Sequence, residues 1–225
     1  MQYSEEKTKL SIFVDAIIFD FDGVLLESNH IRTEGFRKLL KRNQFPNEKV
    51  EQLILYHEAN GGLSRYFKLK YFFKEILRKD INDSQLLSLC NEYSVLVKQR
   101  VAKAQWVEGA YGFLSKNYDK YKFFIVSASD QDELREICNI RKIEKYFTEI
   151  LGSPADKKTN IAYLLTEYGI LPENALFVGD SINDLKAAQS VNVNFVARDS
   201  GSCGEWAKNL IVIKDLTRLS SCLSK

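Results

Sequence analysis

The sequence predicts an α/β protein: a parallel sheet with helices on both faces, and an all-α unit inserted after the first strand. Three observations lead there. Short apolar runs recur along the chain, at 16–21, 123–127, 149–152, 175–179, 194–197 and 210–213. Between the later runs lie stretches of helical periodicity, such as Ile161, Leu164, Leu165 and Tyr168, and strand–helix alternation closes into a parallel sheet covered on both sides. The stretch from about Ser28 to Ala104 breaks the alternation and carries helical patterns only.

Taken in order, the first run is Ile17-Ile18-Phe19-Asp20-Phe21-Asp22-Gly23-Val24. Asp20 and Asp22 alternate with Phe19 and Phe21, so an extended strand points both acids to one side. Gly23 permits a sharp turn, or close approach of a ligand to the backbone. Helical patterns follow at 31–42, 48–58, 64–78 and 84–103. In the last of these Leu86, Leu87, Leu89, Cys90, Tyr93, Leu96 and Val97 recur at three- and four-residue steps, the apolar face of a bundled helix. Later, Asp130 with Glu133 and Ser181 with Asp184 have the spacing of helix starts, and Pro172 fits a helix-to-strand turn. The division expected is a Rossmann-like core over 1–27 and 105–225 with a helical cap over 28–104.

At 225 residues the chain suffices for one large domain, or one with a sizeable insertion. With 45% hydrophobic and 28% charged residues it reads as an ordinary soluble globular protein. Its net charge of +2, from 32 basic and 30 acidic residues, leaves no electrostatic footprint for nucleic acid or an anionic membrane. Cys90, Cys138, Cys203 and Cys222 are far apart, without a CxxC pair, and fit four reduced thiols in the cytoplasm. Residues 1–9 are polar and mixed in charge, unlike a signal peptide, and no apolar run approaches the ~20 residues of a membrane span.

Two like charges as close as Asp20 and Asp22 repel and shift one another's pKa unless a cation or a shared proton lies between them. Ligands of an open parallel sheet bind beyond the carboxyl ends of its strands. Those ends here carry Asp20 and Asp22, then Ser127-Ala128-Ser129, then Asp180-Ser181-Ile182-Asn183-Asp184, with Lys157-Lys158 opening the helix before the last. Hard carboxylate oxygens suit Mg²⁺. An unshared carboxylate can attack phosphorus, and a second acid can move the proton. A hydroxyl, the following backbone N–H groups and a lysine can meet the phosphoryl oxygens.

These residues resemble the haloacid dehalogenase superfamily of phosphotransferases. Its four motifs stand in order: hhhDxDG at 17–23, hhhS at 124–127, a helix-opening lysine at 157 or 158, and GDSxxD at 179–184. The resemblance spans essentially the whole chain, since the helical insertion matches the cap many members carry. It implies Asp20 as nucleophile, Asp22 as general acid/base and Ser127 with Ala128 and Gly23 as phosphate contacts. It also implies Mg²⁺ held by Asp20, the Asp22 carbonyl and Asp180, with Asp184 assisting. The lysine stays ambiguous; Ile161 three residues after Lys158 favours Lys158 over Lys157.

Having an acid at Asp22 favours phosphomonoester hydrolysis over the dehalogenase and phosphonatase branches, although Lys68 or Lys70 resembles the phosphonatase cap lysine. Residues 60–68, Asn-Gly-Gly-Leu-Ser-Arg-Tyr-Phe-Lys, place Arg65 and Lys68 on one helix face behind a Ser64 cap. The stretch resembles the specificity loop of β-phosphoglucomutase-like members, where an arginine grips a remote anion. A capped helix with solvated cations explains it equally well, and the nearby Tyr66, Phe67, Tyr71, Phe72 and Phe73 read as cap core. A mutase is the alternative activity, but Arg32 stands where those mutases carry a histidine; a catalytically silent scaffold conflicts with the complete acid set. The expectation is a cytoplasmic Mg²⁺-dependent phosphatase of a small phosphorylated molecule, a monomer or weak homodimer without nucleic-acid or membrane partners.

Overall fold

The computed structural model describes residues 13–223; the reading of residues 1–9 falls outside that range. Six strands, β1 (Ala16–Phe19), β2 (Lys122–Asp130), β3 (Glu149–Ser153), β4 (Ala175–Gly179), β5 (Asn194–Arg198) and β6 (Ile211–Ile213), form one sheet in the order β3-β2-β1-β4-β5-β6. Every pairing is parallel. β1 is central, with Ile17 opposite Phe123 on one side and Leu176 on the other. That position explains an unbroken apolar run in place of strict alternation, because both faces are covered.

The faces part by residue parity. Ile17, Phe19, Phe123 and Ile125 pack towards α5 (Ala110–Asn117) and α6 (Gln131–Ile140), where Phe113, Leu114, Leu134 and Ile137 meet them. Ala16, Ile18, Phe124 and Val126 pack on the other side with residues of α7 (Lys157–Glu167) and α8 (Ile182–Ser190), among them Ile161, Leu164 and Ala188. Asp130 and Ser181 are helix caps, accepting from the Glu133 and Asp184 amides. Chain order reverses around β1, so the switch point and its crevice lie at the carboxyl ends of β1, β2 and β4.

β1 stops at Phe19, two residues earlier than expected. The Asp20 amide still donates to the Val178 carbonyl at 2.9 Å, and the chain then turns, with the Leu25 amide on the Phe21 carbonyl at 3.0 Å. The acids are therefore separated by a turn rather than lined along one strand face. Gly23 sits in that turn at φ +78°, and a Cβ there would lie 2.1 Å from Asp180 Oδ2. Only glycine admits both the angle and the approach.

Between β1 and β2 come α1 (Asn29–Arg42), α2 (Asn47–Ala59), α3 (Arg65–Tyr71) and α4 (Asp83–Ala102). The single helix expected over 64–78 widens after Tyr71 into a π turn over Phe72–Ile76. Of its aromatics, Phe72 is buried and Tyr71 stacks on Tyr56 at 3.5 Å, but Phe67 is exposed and Tyr66 hydrogen-bonds Asp130 at 2.7 Å. The two chain crossings between insertion and sheet lie side by side: the Glu27 amide donates to Gln105 and the Val107 amide to Leu25. Among the described residues no helix is long and apolar enough to cross a membrane.

α1 and α4 meet closely because Gly35 faces Val97; a Cβ at Gly35 would lie 2.3 Å from Val97 Cγ1. Gly35→Ala is expected to destabilise the chain by about 1–3 kcal/mol through overpacking. Gly112→Ala, in α5 with no atom within 4 Å of its Cβ position, is expected to stabilise by about 0.5–1 kcal/mol. Urea midpoints at constant m-value separate the two outcomes.

Candidate active site

The carboxyl ends of β1, β2 and β4 open into a cleft of about 690 Å³ walled on its far side by α1, α2 and α3. Asp20 is the first residue beyond β1; its Oδ1 accepts from the Phe21 amide at 2.7 Å. Lys157 Nζ lies 2.9 Å from Asp20 Oδ2 and 2.5 Å from Asp184 Oδ1. The other oxygen of Asp184 accepts from the amides of Asp180 and Ser181 and from Ser181 Oγ. Asp180, at the end of β4, accepts from Asn29 Nδ2 at 2.8 Å. Oxygens of Asp20, Asp180 and Asp184 lie within 4.8 Å of one another, the sole such cluster among the described residues.

The preference for Lys158 is corrected. Lys157 is buried in the acid cluster and Lys158 is exposed. The inward stripe of α7 runs Lys157, Ile161, Leu164, so the buried Ile161 shares its face with the residue four positions back. Three buried carboxylates surround one ammonium, and the deficit of positive charge shows in their proton affinities. Burial, reinforced by Asp184 and Asp180 and opposed by Lys157, pushes Asp20 up to about 8. Burial and Asp184 push Asp180 up to about 6. The donors are all hard carboxylate oxygens, and a divalent cation would balance the excess negative charge. The donor set therefore fits a hard cation such as Mg²⁺, which Asp20 and Asp180 could hold, while Asp184 already accepts from Lys157, from two amides and from Ser181 Oγ.

The Asp22 side chain belongs to a different environment. Its carboxylate accepts from Ser28 Oγ at 2.5 Å, Arg32 Nε at 2.9 Å and Ser129 Oγ at 2.7 Å. Burial alone would raise its pKa, but Arg32 and the two hydroxyls more than offset that and hold it below the ordinary carboxylate value. Ser127 and Ala128 line the cleft, and Ser127 Oγ accepts from the Ser129 amide at 3.2 Å.

Arg65 lies in the cleft wall. It is buried, with Nη1 2.7 Å from Glu133 Oε2 and 2.5 Å from Ser94 Oγ, and its guanidinium stacks on the Tyr93 ring at 4.6 Å. It lines the cleft with its charge already matched by Glu133. Arg32 Nη1 pairs with the second Glu133 oxygen, and the two guanidiniums, against the opposing effect of burial, bring Glu133 down to about 2. Lys68 is also buried, and Lys70 is exposed. Lys68 Nζ donates to His57 Nδ1 at 2.8 Å, so neutral His57 carries its proton on Nε2, 3.1 Å from Thr33 Oγ1. Burial and Lys157 bring Lys68 down to about 7.

The sequence reading passed over Ser28, Asn29, Ser129 and Glu133 as site residues. Ser28 and Arg32 are four apart at the start of α1, a spacing that puts both on one side of Asp22. Nothing local marks Asn29 or Glu133, whose partners come from β4 and from the helical insertion.

Comparison with known proteins points the same way. Residues 17–198 match the family model described as haloacid dehalogenase-like hydrolase. The chain is 27% identical over 193 residues to a phosphoglycolate phosphatase of Mannheimia succiniciproducens, covering 81% of this chain and 84% of that one. A hydrolase from Pseudomonas syringae superposes with TM-score 0.76 at 18% identity, over 92% of this chain and 96% of the other. A variant of CbbY from Rhodobacter sphaeroides, in complex with xylulose-(1,5)-bisphosphate, gives TM-score 0.74 at 16% identity, over 94% and 100%. At those identities the structural likenesses speak for the fold.

Asp20 binds a proton in the folded chain over a pH range in which the unfolded chain has released it, from the ordinary value of 3.8 up to about 8. Its contribution to stability therefore falls as pH rises across that window. Asp20→Asn removes the linkage, so its metal-free thermal midpoint is expected to gain on wild type steadily from about pH 4 to pH 8. A pH-independent difference between the two midpoints would contradict the assignment.

Proposed function

The chain belongs to the haloacid dehalogenase-like hydrolase family, and we propose that it is a Mg²⁺-dependent phosphatase of small phosphomonoesters acting through an aspartyl-phosphate on Asp20. The observation that carries the reading is the buried set Asp20, Asp180 and Asp184 around Lys157, with Asp22 held separately one turn away. It provides a nucleophile, a cation site and a proton carrier at one rim.

In this mechanism Asp20 and Asp180 would hold the cation, which would supply positive charge to the phosphoryl oxygens and favour the ionised form of Asp20. An Asp20 oxygen attacks phosphorus in line with the leaving ester oxygen. Lys157 fixes the orientation of that carboxylate and adds positive charge where the transition state gathers negative charge. Ser127 Oγ and the backbone after it receive the remaining phosphoryl oxygens. Asp22 hands a proton to the leaving oxygen, then takes one from the water that hydrolyses the aspartyl-phosphate. Arg32, by stabilising its carboxylate, favours the second of those roles.

Phosphoglycolate and short sugar phosphates fit the cleft's size, and the Mannheimia relative's name points to the former. A mutase requires a cation for a second phosphate, and Arg65, the residue the sequence offers for it, is paired with Glu133. The four unpaired thiols support a reducing, cytoplasmic setting.

Asp20→Asn is expected to abolish Mg²⁺-dependent release of phosphate from p-nitrophenyl phosphate; near-wild-type turnover would falsify the mechanism. Lys157→Ala should lower kcat by about 10²–10³-fold, whereas Lys158→Ala should stay within about twofold of wild type. Equal losses would return the role to either lysine. Because Arg32 depresses the Asp22 pKa, Arg32→Met should move the kinetic pKa that reports Asp22 to higher pH, read from the pH profile of kcat/KM.

A further inference from the structure

The arginines that face the cleft are neutralised from behind. Arg65 Nη1 pairs with one Glu133 oxygen at 2.7 Å, Arg32 Nη1 pairs with the other, and Arg32 Nε holds Asp22 at 2.9 Å. Two guanidiniums and two carboxylates leave that wall without net charge. Glu133 occupies the third helical position of α6 behind the cap Asp130, where an acid ordinarily reaches back to the cap amide. Here its carboxylate turns away from the cap and is given wholly to the two arginines, with its side chain only 1% exposed.

Two polar groups of the same wall remain uncommitted to a carboxylate. Among the lysines and arginines lining the cleft, Lys68 alone has no acid within ion-pair distance among the described residues; its neighbour is His57. Arg32 Nη2 is buried with no hydrogen-bond partner. Glu58 lines the cleft and adds negative charge.

We infer that Glu133 determines specificity: as the resident counter-anion of Arg32 and Arg65, it restricts the enzyme to phosphomonoesters whose remaining part carries at most one negative charge, received by Lys68 and Arg32 Nη2, and it rejects compounds with a second phosphoryl group. The inference rests on the phosphatase reading above. A phosphate monoester brings nearly two charges at neutral pH, and a single available ammonium beside Glu58 does not balance them once water is excluded. A carboxylate brings one charge, which Lys68 matches. Removing the Glu133 charge would release one guanidinium charge to the cleft and relax the restriction.

The test uses three substrates of the full chain with Mg²⁺: p-nitrophenyl phosphate, and two straight-chain phosphomonoesters of equal length, one ending in a carboxylate and one in a second phosphate. Wild type is expected to prefer the carboxylate compound by kcat/KM. Glu133→Gln, which preserves shape, should shift the ratio towards the bisphosphate by about tenfold or more. Lys68→Met should remove the carboxylate compound's advantage over p-nitrophenyl phosphate, and this variant decides the question if Glu133→Gln does not fold. A wild-type preference for the bisphosphate, or ratios unmoved in folded variants, would overturn the inference and leave the phosphatase reading standing. Turnover of none of the three by wild type would overturn that reading and the inference with it.

Discussion

One ammonium group holds the centre of this molecule together. Lys157 bridges Asp20, at the end of the central strand, and Asp184, in the first turn of α8. Without it three buried carboxylates would face one another across a few ångströms, an arrangement that burial makes strongly unfavourable. The surrounding architecture serves this contact. Gly23 gives Asp180 room to approach, the Ser181 cap saturates the far side of Asp184, and the α7 stripe places Lys157 above the sheet while anchoring on Ile161 and Leu164. Even so, one positive charge cannot satisfy three negative ones, and the remaining imbalance, with burial, raises the proton affinity of Asp20 and Asp180.

A second network, distinct from the first, joins insertion and sheet. Asp22, Arg32, Glu133 and Arg65 alternate in sign and come from the turn after β1, from α1, from α6 and from α3. Tyr66 on Asp130, Lys98 on Glu136 and Asn183 on the Gly61 carbonyl stand along the same seam. Gly62, at φ +77° and with a Cβ position 2.6 Å from Ser181 Oγ, lets the loop before α3 lie directly on the rim. The two networks pull Asp20 and Asp22 in opposite directions, one towards holding a proton and one towards losing it, and an ionised Asp22 suits the step in which it takes a proton from water.

The fold was legible because its signals are local and repeated: apolar runs in β1, β2 and β4, caps at Asp130 and Ser181, and the absence of strand pattern across the insertion. The acids were legible because Asp20, Asp180 and Asp184 lie at or just beyond strand ends. The features that escaped depend on pairings remote in sequence. Adjacent lysines differ by about a third of a helical turn, and only the position of Ile161 over the sheet decides which points inward. Arg65 looked free because nothing near it in sequence is acidic; its partner Glu133 lies on α6, and it resembled a capping acid through its distance from Asp130. The end of β1 was overrun because Asp20, still hydrogen-bonded to Val178, differs from a strand residue only in the turn that begins after it.

The side-by-side crossings at Glu27–Gln105 and Leu25–Val107 bear on how the chain acquires its shape. The central strand is made first, yet its neighbours β2 and β4 lie beyond the whole helical insertion. Contacts so distant along the chain slow folding, since an open loop must be closed before they contribute. Helices form from nearby residues, and once α1 and α4 have packed, the two ends of the insertion are already adjacent. The effective loop then shrinks from the full insertion to the two short crossings, and the entropy of bringing β1 to β2 shrinks with it. The segment that walls the cleft in the finished protein thereby acts as a clamp on the nascent one.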